Sequence, residues 1–236
     1  MTGFCYNLSM KRLKREFFER KPEVVAQDLL GKLLVRKFRS KYYIGKIVET
    51  EAYLSENDLA CHAAKGKTKR NHVMFGPAGH VYIYMIYGMY HCLNFVTEAE
   101  HKPSAVLIRA VEPILSNNKY QLPDTKLSEL RKLSSGPGKL CRWMEINKAL
   151  NGEDLSKSNK LFVVNKFEQI NVNYSENKCL HLIAGANRRG QFMLKAKKLL
   201  PRQIVKTARI GVDYAGDHKH LPLRFYIKDN KFVSKK

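Results

Sequence analysis

Apolar and β-branched runs bounded by polar turns outnumber stretches with helical spacing in this chain. Residues 32–38 and 42–53 read as two strands joined by the polar turn Arg39-Ser40-Lys41. Residues 81–87 and 90–96 are apolar, aromatic and β-branched with Gly88-Met89 between them, a hairpin signature. Residues 105–111 predict another strand, and the weakly alternating tail predicts two more, at 209–212 and 223–227. Helices are expected over 9–20, where Ser9 could cap a basic segment, and from Pro22, with Val25 and Leu29 on one side and Gly31 as its stop. A third is expected over 135–150, with Leu140, Met144 and Leu150 on a core face. Residues 56–72 read as a long loop and 185–202 as a basic loop or short helix. Strands mostly follow one another directly, which predicts an α+β fold with a largely antiparallel sheet. No repeat or Pro- or Ser-rich linker divides the chain, so one domain over 1–236 is expected, with 1–21 as a basic N-terminal extension.

Composition adds a partner class. Of 236 residues, 43 are Lys or Arg and 21 are Asp or Glu, a formal net charge of +22. A compact fold with that excess repels itself unless it works near polyanions. At 44% hydrophobic the chain can still build a sizeable core. The five cysteines, at 5, 61, 92, 141 and 179, include no C-x-x-C pair, which argues against a disulfide framework or a cysteine zinc site and suggests a reducing, intracellular compartment. The charged N-terminus lacks the apolar core of a secretory signal. The most apolar run, 80–96, is too short and too polar to span a bilayer, so no membrane partner is expected.

Three constellations could carry chemistry. Strand alternation puts Ile47, Glu49, Glu51 and Tyr53 on one face. Two carboxylates beside an aromatic there are either a general base for water or a solvated, lysine-paired strand face. In the hairpin, Tyr82 and Tyr84 share a face and Tyr87 sits at the turn; such rings either stack on bases and wedge into a duplex or simply fill a sheet surface. Ala105, Leu107, Arg109 and Val111 share a third face, where the arginine either meets a carboxylate or phosphate or reaches water from an edge. The eight histidines form no metal-ligand pattern, so no metal site is expected. Lys67, Lys69 and Arg70 in one basic run, and Lys139 at the start of the third helix, are candidate contacts to a nucleic-acid backbone.

The segments Gly45-Lys-Ile-Val-Glu-Thr-Glu-Ala-Tyr-Leu54, Asn57-Asp58 with Ala60-Cys61-His62, Arg70-Asn71 with Met74-Phe75, and Val81-Tyr-Ile-Tyr-Met-Ile-Tyr-Gly-Met-Tyr90 occur in that order. They are followed by Cys92 with Asn94, Val106-Leu-Ile-Arg-Ala-Val-Glu-Pro113, Ser135-Gly-Pro-Gly-Lys-Leu-Cys141, Arg209-Ile-Gly-Val212 and Pro222-Leu-Arg-Phe-Tyr226. Over about 23–234 the chain thus resembles the 3-methyladenine (alkyladenine) DNA glycosylase family of base-excision repair.

The resemblance implies a curved antiparallel sheet with surrounding helices, a hairpin protruding into the DNA minor groove, and no metal or dissociable cofactor. Its substrate would be double-stranded DNA carrying a damaged purine of the 3-methyladenine, 7-methylguanine, hypoxanthine and ethenoadenine class. The enzyme would be a monofunctional hydrolase of the N-glycosidic bond, acting as a monomer in the nucleoid or the nucleus. Carried over by position, Glu51 would be the general base and Arg109 would hold it and the water. Tyr53, His62 and Tyr84 would sandwich the flipped base, Asn94 would screen it, Leu107 would pack near the sugar, and Tyr87 would fill the gap in the duplex. The chain departs from the family pattern at Ser55, where glycine is usual, and over about 169–202, which reads as an insertion. A non-catalytic module binding structured RNA or DNA, and a basic structural protein of a nucleoprotein particle, are the competing readings.

Overall fold

The computed structural model describes residues 8–114, 124–171, 191–192 and 199–235. Ten strands form one sheet in which every pairing is antiparallel. They are β1 (Leu8–Arg12), β2 (Leu33–Phe38), β3 (Lys41–Tyr53), β4 (Val81–Ile86), β5 (Tyr90–Thr97), β6 (Ser104–Pro113), β7 (Leu161–Asn171), β8 (Gln191–Phe192), β9 (Ile204–Thr207) and β10 (Arg224–Ile227). Among the described residues four α-helices accompany them: α1 (Arg15–Phe18), α2 (Pro22–Leu29), α3 (Asp124–Ser134) and α4 (Pro137–Trp143). The main order is β1-β7-β2-β3-β6-β5-β4, with β10 joining β3 to β9 and β8 added to β7. The fold is α+β, with an antiparallel sheet that curls into a half-barrel. Among the described residues no helix is long and apolar enough to cross a membrane.

The central strand explains the architecture. β3 is long enough to pair β6 along one edge and to divide the other between β2, over Lys41–Lys46, and β10, over Glu49–Glu51. Helix α2 covers one face; Val25 and Leu29 are fully buried, and the Thr50 hydroxyl donates to the Ala26 carbonyl at 2.9 Å. Gly31 stops this helix with φ +82°, as glycine alone does without strain.

Along β3 and β6 strict alternation fails at one place, and that place matters. Ile47 pairs Val111, yet the next paired residues are Glu49 with Ala110 and then Thr50 with Ile108. An extra residue therefore bulges in each strand, Val48 in β3 and Arg109 in β6. Ile47 and Val111 pack in the main core beside Ile108 and Ala52. Val48 and Ala110 join a separate cluster with Phe232. The face predicted for Ile47, Glu49, Glu51 and Tyr53 thus loses Ile47, and the face predicted for Ala105, Leu107, Arg109 and Val111 loses Val111. The paired bulges turn the charged residues toward one side of the sheet and return the flanking aliphatics to the core.

Other expectations need correction. The helix expected over 9–20 is β1 followed by the single turn α1. So short a segment is a poor helix on its own, and β7 offers a strand edge instead. There the Arg12 guanidinium stacks on Phe162 at 4.3 Å and donates to the Ser158 carbonyl at 2.7 Å. The helix expected over 135–150 ends at Trp143, because Glu145 turns left-handed (φ +52°) and the Ile146 N–H closes back on the Cys141 carbonyl at 2.8 Å. Residues 209–212 are not a strand; β9 lies just before them, and Gly211 at φ +74° leads the chain away from the sheet. The hairpin turn is centred one residue earlier than expected: Tyr87 and Gly88, at φ +51° and +67°, are its two middle residues, and the Met89 N–H closes it on Ile86. Strand β7 and helix α3 had no counterpart in the sequence reading. Cys61, Cys92 and Cys141 are buried free thiols, whereas Cys5, Cys179 and most of 169–202 lie outside the described residues.

Candidate active site

A cleft of about 320 Å³ opens where β3, β4, β5 and β6 meet the segment after β9. Tyr53, His62, Tyr84, Tyr87, Asn94, Leu107 and Arg109, singled out from sequence, all line it. Its size sits at the lower end of the range for small-molecule pockets, roughly 300–1,000 Å³.

One wall is a packed aromatic stack. The His62 and Tyr84 rings lie 4.4 Å apart, and Tyr82 is 5.5 Å from Tyr84. His62 Nδ1 and the Tyr82 hydroxyl are hydrogen-bonded at 2.8 Å. Burial, helped by the nearby Arg70 charge, lowers the His62 pKa to about 4, so its ring is neutral at physiological pH. Burial likewise raises Tyr82 to about 12, Cys92 to about 11, and Tyr53 and Tyr84 well above the usual phenol value. At neutral pH these lining groups are therefore uncharged aromatics and a thiol.

The opposite wall is held by a buried ion pair. Asp58 and Arg209 are both fully buried; Arg209 Nη2 meets Asp58 Oδ1 at 2.7 Å and Nη1 contacts Oδ2. The Arg209 guanidinium lies 4.8 Å from the Tyr53 ring centroid and backs that ring. Burial alone would raise the Asp58 pKa, but the hydrogen bonds from Arg209 and the Leu54 and Ala60 N–H groups outweigh it and hold the carboxyl below its usual value. Ile210, Gly211, Val212 and Tyr214 complete this wall.

Glu51 is fully buried and does not itself line the cleft; it lies behind Tyr53, Arg109 and Ile210, which do. Its Oε1 accepts the Ile210 N–H at 2.8 Å and faces Arg109 Nη1 at 3.2 Å. Its Oε2 accepts the Tyr53 hydroxyl at 2.9 Å. A carboxylate offers about four acceptor sites. Two are filled by hydrogen bonds and Arg109 faces a third, so among the described residues Oε2, with one partner, keeps capacity for a further donor. Asn94 is fixed by its amide nitrogen, which donates to the Tyr82 and Cys92 carbonyls at 3.1 and 3.2 Å.

The hairpin tip projects from the rim. Tyr87 is 88% exposed, with Met85 and Met89 also exposed. A tyrosine at positive φ costs backbone energy that function often explains. Arg70 sits 5.5 Å over the Tyr84 ring at the mouth, and Lys67 and Lys69 follow on the same exposed loop. Lys139 is exposed on α4, whose Pro137 also lines the cleft.

Asp58, Arg209 and Ile210 fall in the motifs that carry the resemblance, yet nothing in the sequence assigns them a role. Asp58 and Arg209 are 151 residues apart and look like surface charges until the fold joins them. The Ile210 N–H is a backbone group that no residue type announces. Tyr214, 68% exposed at the rim, lies in a tail that gave only a weak strand pattern.

Residues 16–180 match the family described as Methylpurine-DNA glycosylase (MPG). The chain is 44% identical over 227 residues to a protein of Methanocella arvoryzae, covering 96% of this chain and 98% of that one. It is 43% identical over 224 residues to one of Carboxydothermus hydrogenoformans (95% and 99% covered) and 41% identical over 226 residues to one of Legionella pneumophila (96% and 100% covered). Each of the three carries the provisional name 3-methyladenine DNA glycosylase. Both the profile match and these near full-length identities place the chain in the methylpurine-DNA glycosylase family.

Proposed function

We propose that this protein is a DNA glycosylase of base-excision repair that hydrolyses the N-glycosidic bond of damaged purines in duplex DNA. The observation that carries this reading is the buried Glu51 carboxylate, whose Oε2 keeps capacity for a further donor, held by Tyr53, Arg109 and Ile210, which line a cleft of neutral aromatic rings. A water donating to that site would lose its proton to Glu51 as its oxygen attacks the sugar C1′; the C1′–N bond would break and its electron pair would leave on the base. Such general base assistance contributes about 10²–10⁴ in rate. Arg109 and the Ile210 N–H would hold the carboxylate in the orientation that aims this water.

The cleft supports a base as the occupant. Tyr53, His62 and Tyr84 line it, and such rings would attract electron-poor alkylated purines by stacking and cation–π contact. Asn94 would screen the inserted edge and Leu107 would pack against the sugar. None of the described residues lining the cleft is a lysine, which supports water rather than an amine as the nucleophile. Tyr87 would enter the duplex where the nucleotide leaves, and Lys67, Lys69, Arg70 and Lys139 would neutralise phosphates around it. Extrusion costs a few kcal/mol, least for damaged or mispaired bases, so part of the selectivity precedes the chemistry.

The test is excision from 25-mer duplexes bearing one hypoxanthine, ethenoadenine or 3-methyladenine surrogate, followed by alkali. Strand scission at the lesion is expected for at least one of them. Intact strands on every substrate, with the protein folded and bound, would favour a non-catalytic binding module instead.

A further inference from the structure

Glu49 is a second fully buried carboxylate, two residues from Glu51, and the chemistry proposed above gives it no task. It is more heavily bonded than Glu51. Its Oε1 accepts Arg109 Nε at 3.1 Å, Arg224 Nε at 2.7 Å and the Ser234 hydroxyl at 2.9 Å; its Oε2 accepts the Ser234 N–H at 2.7 Å. Ser234 reaches this spot because the C-terminal segment is tied down along its length. Asn230 bonds Glu112 at 2.9 Å, Phe232 is buried against Val48 and Ala110, the Ser135 hydroxyl donates to the Phe232 carbonyl at 2.8 Å, and Arg224 also holds the Lys235 carbonyl.

The geometry of Arg109 gives this arrangement a consequence. A guanidinium is a rigid fork whose most favourable partner is one carboxylate taken through two N–H groups. Arg109 instead divides its fork, Nε to Glu49 and Nη1 to Glu51 Oε1, with Nη2 3.5 Å from the Ser234 hydroxyl. Were it released from Glu49, it could turn and grip both oxygens of Glu51, and its second N–H would fill the acceptor site left open on Oε2. We infer that Glu49, anchored by Arg224 and by Ser234 of the C-terminal segment, is a positioning residue that keeps Arg109 single-handed on Glu51 and so keeps the water site open. This inference rests on the glycosylase reading, and it makes the last described residues of the chain a part of the active site.

The test compares Glu49→Gln, Ser234→Ala, Ser234→Thr and a chain lacking residues 234–236 with the full chain. Three quantities are read: single-turnover excision with enzyme in excess, affinity for the lesion duplex, and the Arg109 Nε–H proton resonance. Glutamine keeps the shape of Glu49 but not its charge, and a misplacement of this kind costs on the order of 100-fold in the chemical step. The inference predicts that loss in Glu49→Gln, a comparable loss in the shortened chain, a smaller one in Ser234→Ala and rescue by Ser234→Thr, all with unchanged duplex affinity. It further predicts a slowly exchanging Arg109 Nε–H in the full chain that is lost in the shortened one. A full rate in Glu49→Gln, or parallel losses of rate, affinity and melting temperature, would overturn it. Should the full chain itself excise nothing, the glycosylase reading falls, and the proton resonance alone then decides whether Glu49 and Ser234 hold Arg109.

Discussion

Replacing Asp58 by Asn probes how the cleft is built, because the two oxygens of Asp58 have equivalent surroundings. Oδ1 accepts the Ala60 N–H and Arg209 Nη2; Oδ2 accepts the Leu54 N–H and Arg209 Nη1. Whichever way an asparagine amide is turned, its NH2 group faces two donors, and the fully buried Arg209 charge loses its partner. Breaking a buried pair from one side costs about 3–5 kcal/mol. That is a large share of the 5–15 kcal/mol by which such proteins are stable, and corresponds to a fall in melting temperature of roughly 10 °C. Removing both charges in Asp58→Asn/Arg209→Met recovers part of the loss, since no unpaired charge remains. Urea unfolding followed by fluorescence of the single tryptophan, Trp143, measures all three proteins. The Asp58 carboxyl is held below its usual value in the folded state, so its contribution is fully present above the unfolded value, near pH 4, and is lost as pH falls through the lower folded value. The gap between wild type and Asp58→Asn therefore stays constant from pH 7 to about pH 4 and narrows below it. A single-variant cost under about 1 kcal/mol, or a double variant weaker than the single one, would refute the reasoning.

Exchanging Tyr87 for Ala leaves folding intact and weakens binding to a lesion duplex by about 5- to 30-fold, but not to a lesion-bearing single strand, in fluorescence titrations; equal losses would remove the wedge role. His62 has a folded pKa near 4 against an ordinary 6.5, so protonation favours the unfolded chain and stability rises with pH between those values. The rise is on the order of 2 kcal/mol after allowance for solvent, and His62→Phe should flatten that part of a pH series of unfolding curves. Gly45→Ala puts a methyl 2.7 Å from Val111 Cγ2 at the Pro113 end of the β3–β6 pair, and overpacking of this kind costs about 1–3 kcal/mol in the same assay.

What the sequence made legible follows the reach of each signal. Glu49, Glu51 and Tyr53 lie within one strand, and Tyr82 and Tyr84 within one arm of a hairpin, so the period of two was enough to gather them. The bulges at Val48 and Arg109 were invisible, because an added residue leaves composition and turn signals unchanged while reversing every face beyond it. Strand β7 opens with Leu161-Phe162-Val163-Val164, all buried, and a strand covered on both sides shows no alternation to read. The partners of the three buried carboxylates, Asp58, Glu51 and Glu49, come from far along the chain: Arg209 and Ile210 from a loop that resembles a strand, and Ser234 from the C-terminal segment. Only the folded chain brings them together.

The measurement closest to the central claim is the single-turnover excision rate of Glu51→Gln set beside its affinity for the same lesion duplex. Glutamine preserves the size of the side chain and removes its capacity to take a proton from water. The account predicts a rate at least about 100-fold lower with binding retained. Excision at the wild-type rate by this variant would contradict it.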